Sequence, residues 1–222
     1  MQTTIFGPPG TGKTTTLINI VKQELDNGTK PENIAFVSFS RKAAEEARDR
    51  SAEALNIGAD QMVWFRTLHS FAFQNIGIGS KQVLKGSDYN QLGRLLGLEF
   101  ASNSSLTMAD GNLFSAGKGG DAYLSLIQLA RVRGVSLEQQ FNDANDRRLY
   151  FQQLKIVNQV LLDYKRDTGK IDFVDMIEKF IDEGDCPLLD VLIVDEAQDL
   201  SPMQWKMIHD VMKPRAKRVY FA

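Results

Sequence analysis

Thr3-Thr-Ile-Phe6 runs directly into Gly7-Pro-Pro-Gly-Thr-Gly-Lys13-Thr14, and the reading of this stretch decides the fold. A short apolar run, a glycine-rich turn and then Lys and Thr at the head of an amphipathic stretch predict strand, loop and helix in that order. The loop has the Walker A spacing, GxxxxGK followed by Ser or Thr, in the context that its chemistry needs. Glycines let backbone N–H groups turn inward around phosphate oxygens. The start of the following helix adds its partial positive charge. Lys13 can reach β- and γ-phosphates, and the Thr14 hydroxyl can ligate magnesium. The expected phosphate-contacting set is Gly7, Pro8, Pro9, Gly10, Thr11, Gly12, Lys13, Thr14 and Thr15.

Outward from the loop, Leu17, Ile20, Val21 and Leu25 recur at helical spacing, which predicts a helix over 13–27 that stops at Asn27-Gly28. Ile34 to Phe39 is a nearly continuous apolar run, the pattern of a strand buried on both faces of a parallel sheet. Ser40 can cap a helix over 41–56, and Met62 to Phe65 reads as a third strand. From about 77 to 168 no stretch reads as a buried strand. Gly and Ser punctuate it up to Gly120, and helical patterns follow at 122–133 and 147–165. The α/β pattern then returns, with a helix at 173–183, a strand at 189–194, a helix at 203–212 and a strand starting at Arg218. Strand and helix alternating in this way predict an α/β fold, a RecA-like parallel sheet with an inserted, mainly helical subdomain. The expected division is 1–78 with 168–222 for the core and 79–167 for the insert.

The second chemical signal lies at the end of the 189–194 strand, Ile193-Val194-Asp195-Glu196. One carboxylate can hold a magnesium ion and a second can orient and deprotonate an attacking water. Neighbours on a strand point to opposite faces, but the chain turns at the strand tip, so both can serve one site. Asp195 is the expected magnesium residue and Glu196 the expected base. Asp-Glu as a mere cap of the next helix is the structural alternative.

Composition adds limits. The chain has 222 residues and a net charge of −2, so any grip on nucleic acid must come from a local basic surface. One cysteine, Cys186, cannot form an internal disulfide and fits a reducing compartment. The start carries no signal-peptide pattern and no apolar run spans a bilayer, so a soluble, cytoplasmic protein without a membrane partner is expected.

After Asp195 the chain continues Glu-Ala-Gln-Asp199, then Leu-Ser-Pro-Met-Gln204. Together with GPPGTGKT at 7–14, SFSRKAAEEARDR at 38–50 and TLHSF at 67–71, it resembles the superfamily 1 helicases of the UvrD/Rep type. A weaker match is Ile171-Asp-Phe-Val-Asp175. The motifs stand in family order over nearly the whole chain, and the helical insert falls where the family's 1B subdomain interrupts its 1A core. The resemblance implies ATP and Mg2+ as ligands, with Lys13, Glu196 and Gln198 catalytic and Thr14 and Asp195 at the metal. Gln198 would sense the γ-phosphate or the attacking water and couple it to motion. Ser40, Arg41, Thr67 and His69 would contact single-stranded DNA, mainly through phosphates, which hydroxyls and Arg grip without reading sequence. Arg48 and Arg50 also fit a solvated helix face, His69 a hydrogen-bonded core residue, and Trp64, Phe65, Phe71 and Phe73 a core rather than a base-stacking platform.

The implied activity is ATP-driven movement on single-stranded DNA or at a single-strand/duplex junction, with 3′ to 5′ polarity. A 5′ to 3′ motor of the same superfamily and a nucleotide-gated DNA-binding module without turnover are the rival readings. The sequence departs from the family in three places. Only six residues precede Gly7, leaving no upstream glutamine to read adenine. Leu68 stands where Phe is frequent, and Arg41 where Asn is common. The stop inside the apparent strand Arg218–Phe221 implies an N-terminal portion lacking a second motor domain, with little or no unwinding by itself.

Overall fold

The computed structural model describes residues 1–8, 10–100 and 119–222. Contacts divide them into two compact units, Met1–Ile76 with Lys179–Leu200 and Gln204–Ala222, and Gly77–Glu178 with Ser201–Met203.

The first unit is built on a parallel sheet of five strands, β1 (Gln2–Thr4), β2 (Ile34–Ser38), β3 (Trp64–Thr67), β4 (Leu189–Val194) and β5 (Ala216–Phe221), in the order β1-β5-β4-β2-β3. Parallel neighbours need crossovers, and helices supply them. Helix α1 (Lys13–Asp26) links β1 to β2, and α2 (Arg41–Leu55) links β2 to β3. All five residues of β2 are buried, the burial its apolar run predicted. Helix α1 ends as its sequence implies, with Gly28 taking a left-handed φ of 87° that suits glycine. Leu17, Ile18 and Val21 of α1 pack with Ile34 and Phe36 of β2, Phe65 of β3, and Val191 and Ile193 of β4 into one core cluster. The Phe36 and Phe65 rings stack with centroids 5.5 Å apart.

Strand β3 begins two residues later than the apolar pattern suggests. Ala59–Gln61 forms a 3-10 turn and Met62 N donates to Ala59 O, so the chain straightens only at Trp64. Helix α3 (Leu68–Gln74) follows at once, capped by Thr67, whose hydroxyl accepts from Ser70 N.

The second unit holds α4 (Gly86–Leu96), α5 (Gly119–Arg133), α6 (Leu137–Ala144) and α7 (Phe151–Thr168) around a core that includes Tyr89, Leu92, Tyr123, Leu124, Leu154 and Leu161. Helices α4 and α6 were not expected. The α4 sequence, GSDYNQLGRLL, carries two glycines and a serine, which lower helix propensity. Its start is nevertheless tied down by Asp88, which accepts from Lys85 N at 2.8 Å, and buried Tyr89 and Leu92 hold it against α7.

Helix α8 (Phe173–Glu183) crosses the division between the units. By contact, residues 168–178 group with the second unit. The cause is charge pairing. Arg131 and Lys165 both bind Asp172 and Asp175, and Arg131 also pairs with Glu178. Helix α9 (Pro202–Lys206) continues as a π-helix, Met207–Met212, where one α-helix was expected. The wider winding brings Met207, Ile208 and Met212 onto the buried side.

Candidate functional site

In a parallel α/β sheet, ligand sites form beyond the carboxyl ends of the strands. Four of the five strands here deliver the sequence-nominated residues to that edge. The loop 7–14 follows β1, Ser40 and Arg41 follow β2, Thr67 ends β3, and Asp195 and Glu196 follow β4.

The loop is shaped by backbone conformation. Gly10 and Gly12 have φ of 79° and 82°, the left-handed region that any Cβ would strain. Gly7 is fixed by crowding instead, since an added Cβ would lie 2.6 Å from Thr11 Oγ1. That hydroxyl in turn donates to Pro8 O at 2.7 Å. Lys13 Nζ folds over the loop and donates to Gly7 O at 3.0 Å. Thr15 is exposed at the helix start, and Arg50 of α2 donates weakly to its hydroxyl at 3.5 Å. Pro9, part of the expected set, lies outside the described residues.

Thr14 Oγ1 donates to Asp195 Oδ2 at 3.0 Å, although the two are 181 residues apart in sequence. Asp195 is 1 % exposed, and its other oxygen accepts from Glu196 N at 3.1 Å. Burial pushes its pKa up, and the neighbouring Glu196 charge adds to this, while the Thr14 hydrogen bond opposes it. A buried carboxylate beside a hydroxyl is a hard-oxygen donor set suited to Mg2+, which takes one or two carboxylates and keeps much of its water. Thr14 and Asp195 therefore fit the ion that the sequence implies.

Glu196 sits at φ 54°, ψ 44°, a left-handed conformation uncommon outside glycine and asparagine. This turn at the end of β4 sets Glu196 on the wall of the cleft, where the Gln198 amide donates to its Oε2. Ala197 N donates to Ala222 O at 2.7 Å and ties the turn to β5. A cleft of about 1070 Å³ runs from Gly10 past Thr14 to Glu196 and Gln198, and on to Trp205 and His209. These last two were not singled out from sequence. Their four-residue spacing was legible, but nothing before folding placed it beside the loop.

Of the four residues nominated for DNA, Ser40 caps α2 by accepting from Ala43 N at 3.1 Å. Thr67 caps α3 in the same way and is nearly buried. Arg41 is exposed and pairs with Glu45 at 2.8 Å. His69 is buried, at 7 % exposure. Arg48 and Arg50 form exposed or half-exposed pairs on α2, a solvated helix face. Phe65 and Phe71 are buried, and Trp64 and Phe180 pack against Phe71.

A five-stranded parallel sheet with a glycine-rich loop after its first strand defines the class, a RecA-like P-loop α/β protein. The family described as UvrD/REP helicase N-terminal domain matches residues 1–221, and the chain belongs to that family. Membership places it among the superfamily 1 helicases, a class of enzymes that use ATP and act on DNA. No curated protein matches the chain. No helix among the described residues is long and apolar enough to cross a membrane.

Proposed function

We propose that the chain binds Mg-ATP at the edge of its sheet and hydrolyses it to drive movement along single-stranded DNA, in the 3′ to 5′ direction. The observation that carries this reading is the Thr14–Asp195 hydrogen bond, which joins the phosphate loop and the acidic strand end into one site. Backbone N–H groups of 10–14 and the Lys13 ammonium would hold the β- and γ-phosphates. Magnesium, held by Thr14 and Asp195, would offset the charge developing on the transferred phosphoryl group. Glu196 takes the proton of the attacking water as the water oxygen bonds to the γ-phosphorus and the bond to the ADP oxygen breaks. Gln198, which donates to Glu196, holds the base in place and can report the state of the γ-phosphate to the rest of the edge.

Ser40, Arg41, Thr67 and His69 serve the DNA strand. They stand at the carboxyl ends of β2 and β3 and in the first turns of the helices that follow, and β2 is the neighbour of β4, so that nucleotide state and DNA grip would share one sheet edge. By family kinship, 1–78 with 168–222 plays the 1A part and 79–167 the 1B part. The test is phosphate release with and without single-stranded DNA, run beside strand displacement on 3′-tailed and 5′-tailed duplexes. Release stimulated by DNA and lost in Lys13→Ala supports the reading. DNA binding gated by nucleotide without any release would replace it with a binding module, and displacement from 5′ tails would reverse the polarity.

A further inference from the structure

Strand β2 ends on a hydroxyl that nothing so far explains. Ser38 is 1 % exposed, and its Oγ has no hydrogen-bond partner among the described residues. Natural structures seldom keep a buried polar group in that condition without a use for it.

Strand alternation gives its direction. Ile34 and Phe36 of β2 pack into the cluster formed with α1, and Val191 and Ile193 of β4 join them there. Side chains two apart share a face. Ser38 therefore follows Phe36 onto the α1 face, and Asp195 follows Ile193. Register brings the two together. Phe36 pairs with Ile193 and Val37 with Val194, and Asp195 N donates to Val37 O at 2.9 Å. Ser38 and Asp195 are thus neighbours across β2 and β4, one step beyond the last paired residues. The Thr14 hydrogen bond independently fixes Asp195 on the α1 side. On its other flank Ser38 is in register with Thr67, whose hydroxyl is engaged by Ser70 N.

We propose that Ser38 is a positioning residue for the metal, its Oγ accepting a hydrogen bond from a water in the magnesium hydration shell beside Asp195. The proposal rests on the reading that Thr14 and Asp195 hold magnesium. That ion keeps several waters, and each is a polarised donor that needs an acceptor. The two Asp195 oxygens are already addressed by Thr14 and by Glu196 N. A neutral oxygen on the next strand provides a further acceptor. A carboxylate there would set a like charge beside Asp195, whose own ionisation burial already opposes.

The test uses the full chain as wild type, Ser38→Ala and Ser38→Cys. Magnesium is titrated against binding of a fluorescent ATP analogue, and thermal unfolding is followed without nucleotide. Ser38→Ala removes an unsatisfied hydroxyl, so it unfolds at the same or a higher temperature. It nevertheless needs several-fold more magnesium for half-maximal nucleotide binding, with binding in chelator unchanged. Should alanine loosen the fold, Ser38→Cys, close in size and a poor acceptor, gives the same readout. A magnesium requirement equal to wild type in a folded variant overturns this proposal alone. Wild-type nucleotide binding that ignores magnesium overturns the reading of the site and this proposal with it.

Discussion

The left-handed turn at Glu196 gives two adjacent carboxylates different surroundings. Asp195 stays buried beneath the phosphate loop, and Glu196 lies on the wall of the cleft. Substitution at each should therefore fail differently. Glu196→Gln keeps its shape and its contact with Gln198 but cannot take a proton. Nucleotide affinity is expected to stay at the wild-type level while turnover falls about 10²–10⁴-fold, the usual worth of a positioned base. Calorimetry beside phosphate release separates the two quantities, and unchanged turnover would mean another base. Lys13→Ala instead removes a charge-assisted phosphate contact and is expected to weaken nucleotide binding by about 1.5–3 kcal/mol. The meeting of the loop with the acidic strand end was legible in the sequence because both follow strands of one parallel sheet. What was not legible was Ser38, since a serine at a strand end gains meaning only from what the neighbouring strand sets beside it.

At the scale of elements, the sequence was most readable where one local rule sufficed. Ser40 caps α2 as its residue type suggests. Ser40→Ala is expected to cost about 0.5–2 kcal/mol by losing the bond to Ala43 N, measurable as a lowered denaturant midpoint. Elements were missed where tertiary contacts override local preference. The glycines of α4 hide a helix that Tyr89 and Leu92 hold in place, and the π-winding after Lys206 follows from burying Met207 and Met212 together. The Asp172–Asp175 pair was matched as a motif, and its physics emerged only on folding. Asp172 N donates to Asp175 Oδ2 at 2.7 Å and Asp175 N to Asp172 Oδ1 at 2.9 Å, a reciprocal cap for α8. Burial alone would raise the pKa of Asp172, but Lys165 and Arg131 outweigh it, and the net direction is down. The sign follows. A carboxyl with a depressed folded pKa adds stability above its ordinary value of 3.8, and that contribution is lost as pH falls through the lower folded value. Asp172→Ala leaves Lys165 and Arg131 to share Asp175, with Glu178 also on Arg131, and is expected to destabilise at neutral pH by less than the about 3–5 kcal/mol of breaking an unshared buried pair. The difference from wild type should shrink in acid, and urea unfolding at several pH values checks both statements.

At the scale of the whole molecule, charge decides how DNA can be held. The chain carries a net charge of −2, so there is no general attraction to a polyanion. The carboxyl edge of the sheet must supply the grip from a few residues. Arg41 is the most exposed of the nominated contacts, and its pair with Glu45 is an exposed one that contributes little. In the proposed grip, Ser40 and Thr67 would add hydroxyl donors from helix caps, which the folding of α2 and α3 already holds in position. Contacts of this kind see the backbone and not the bases. Affinity for single-stranded DNA is therefore expected to be modest, nearly independent of sequence and strongly dependent on salt. Each phosphate neutralised on a single strand contributes about 0.7 to the slope of log affinity against log salt. Arg41→Ala should lower affinity at low salt and flatten that slope by about the same 0.7, so that the two proteins converge as salt rises. Anisotropy titrations of labelled oligonucleotides of differing sequence, from low to moderate salt, measure all three quantities. An unchanged slope in Arg41→Ala would remove Arg41 from the phosphate grip, and affinities that followed base sequence would overturn the grip as drawn.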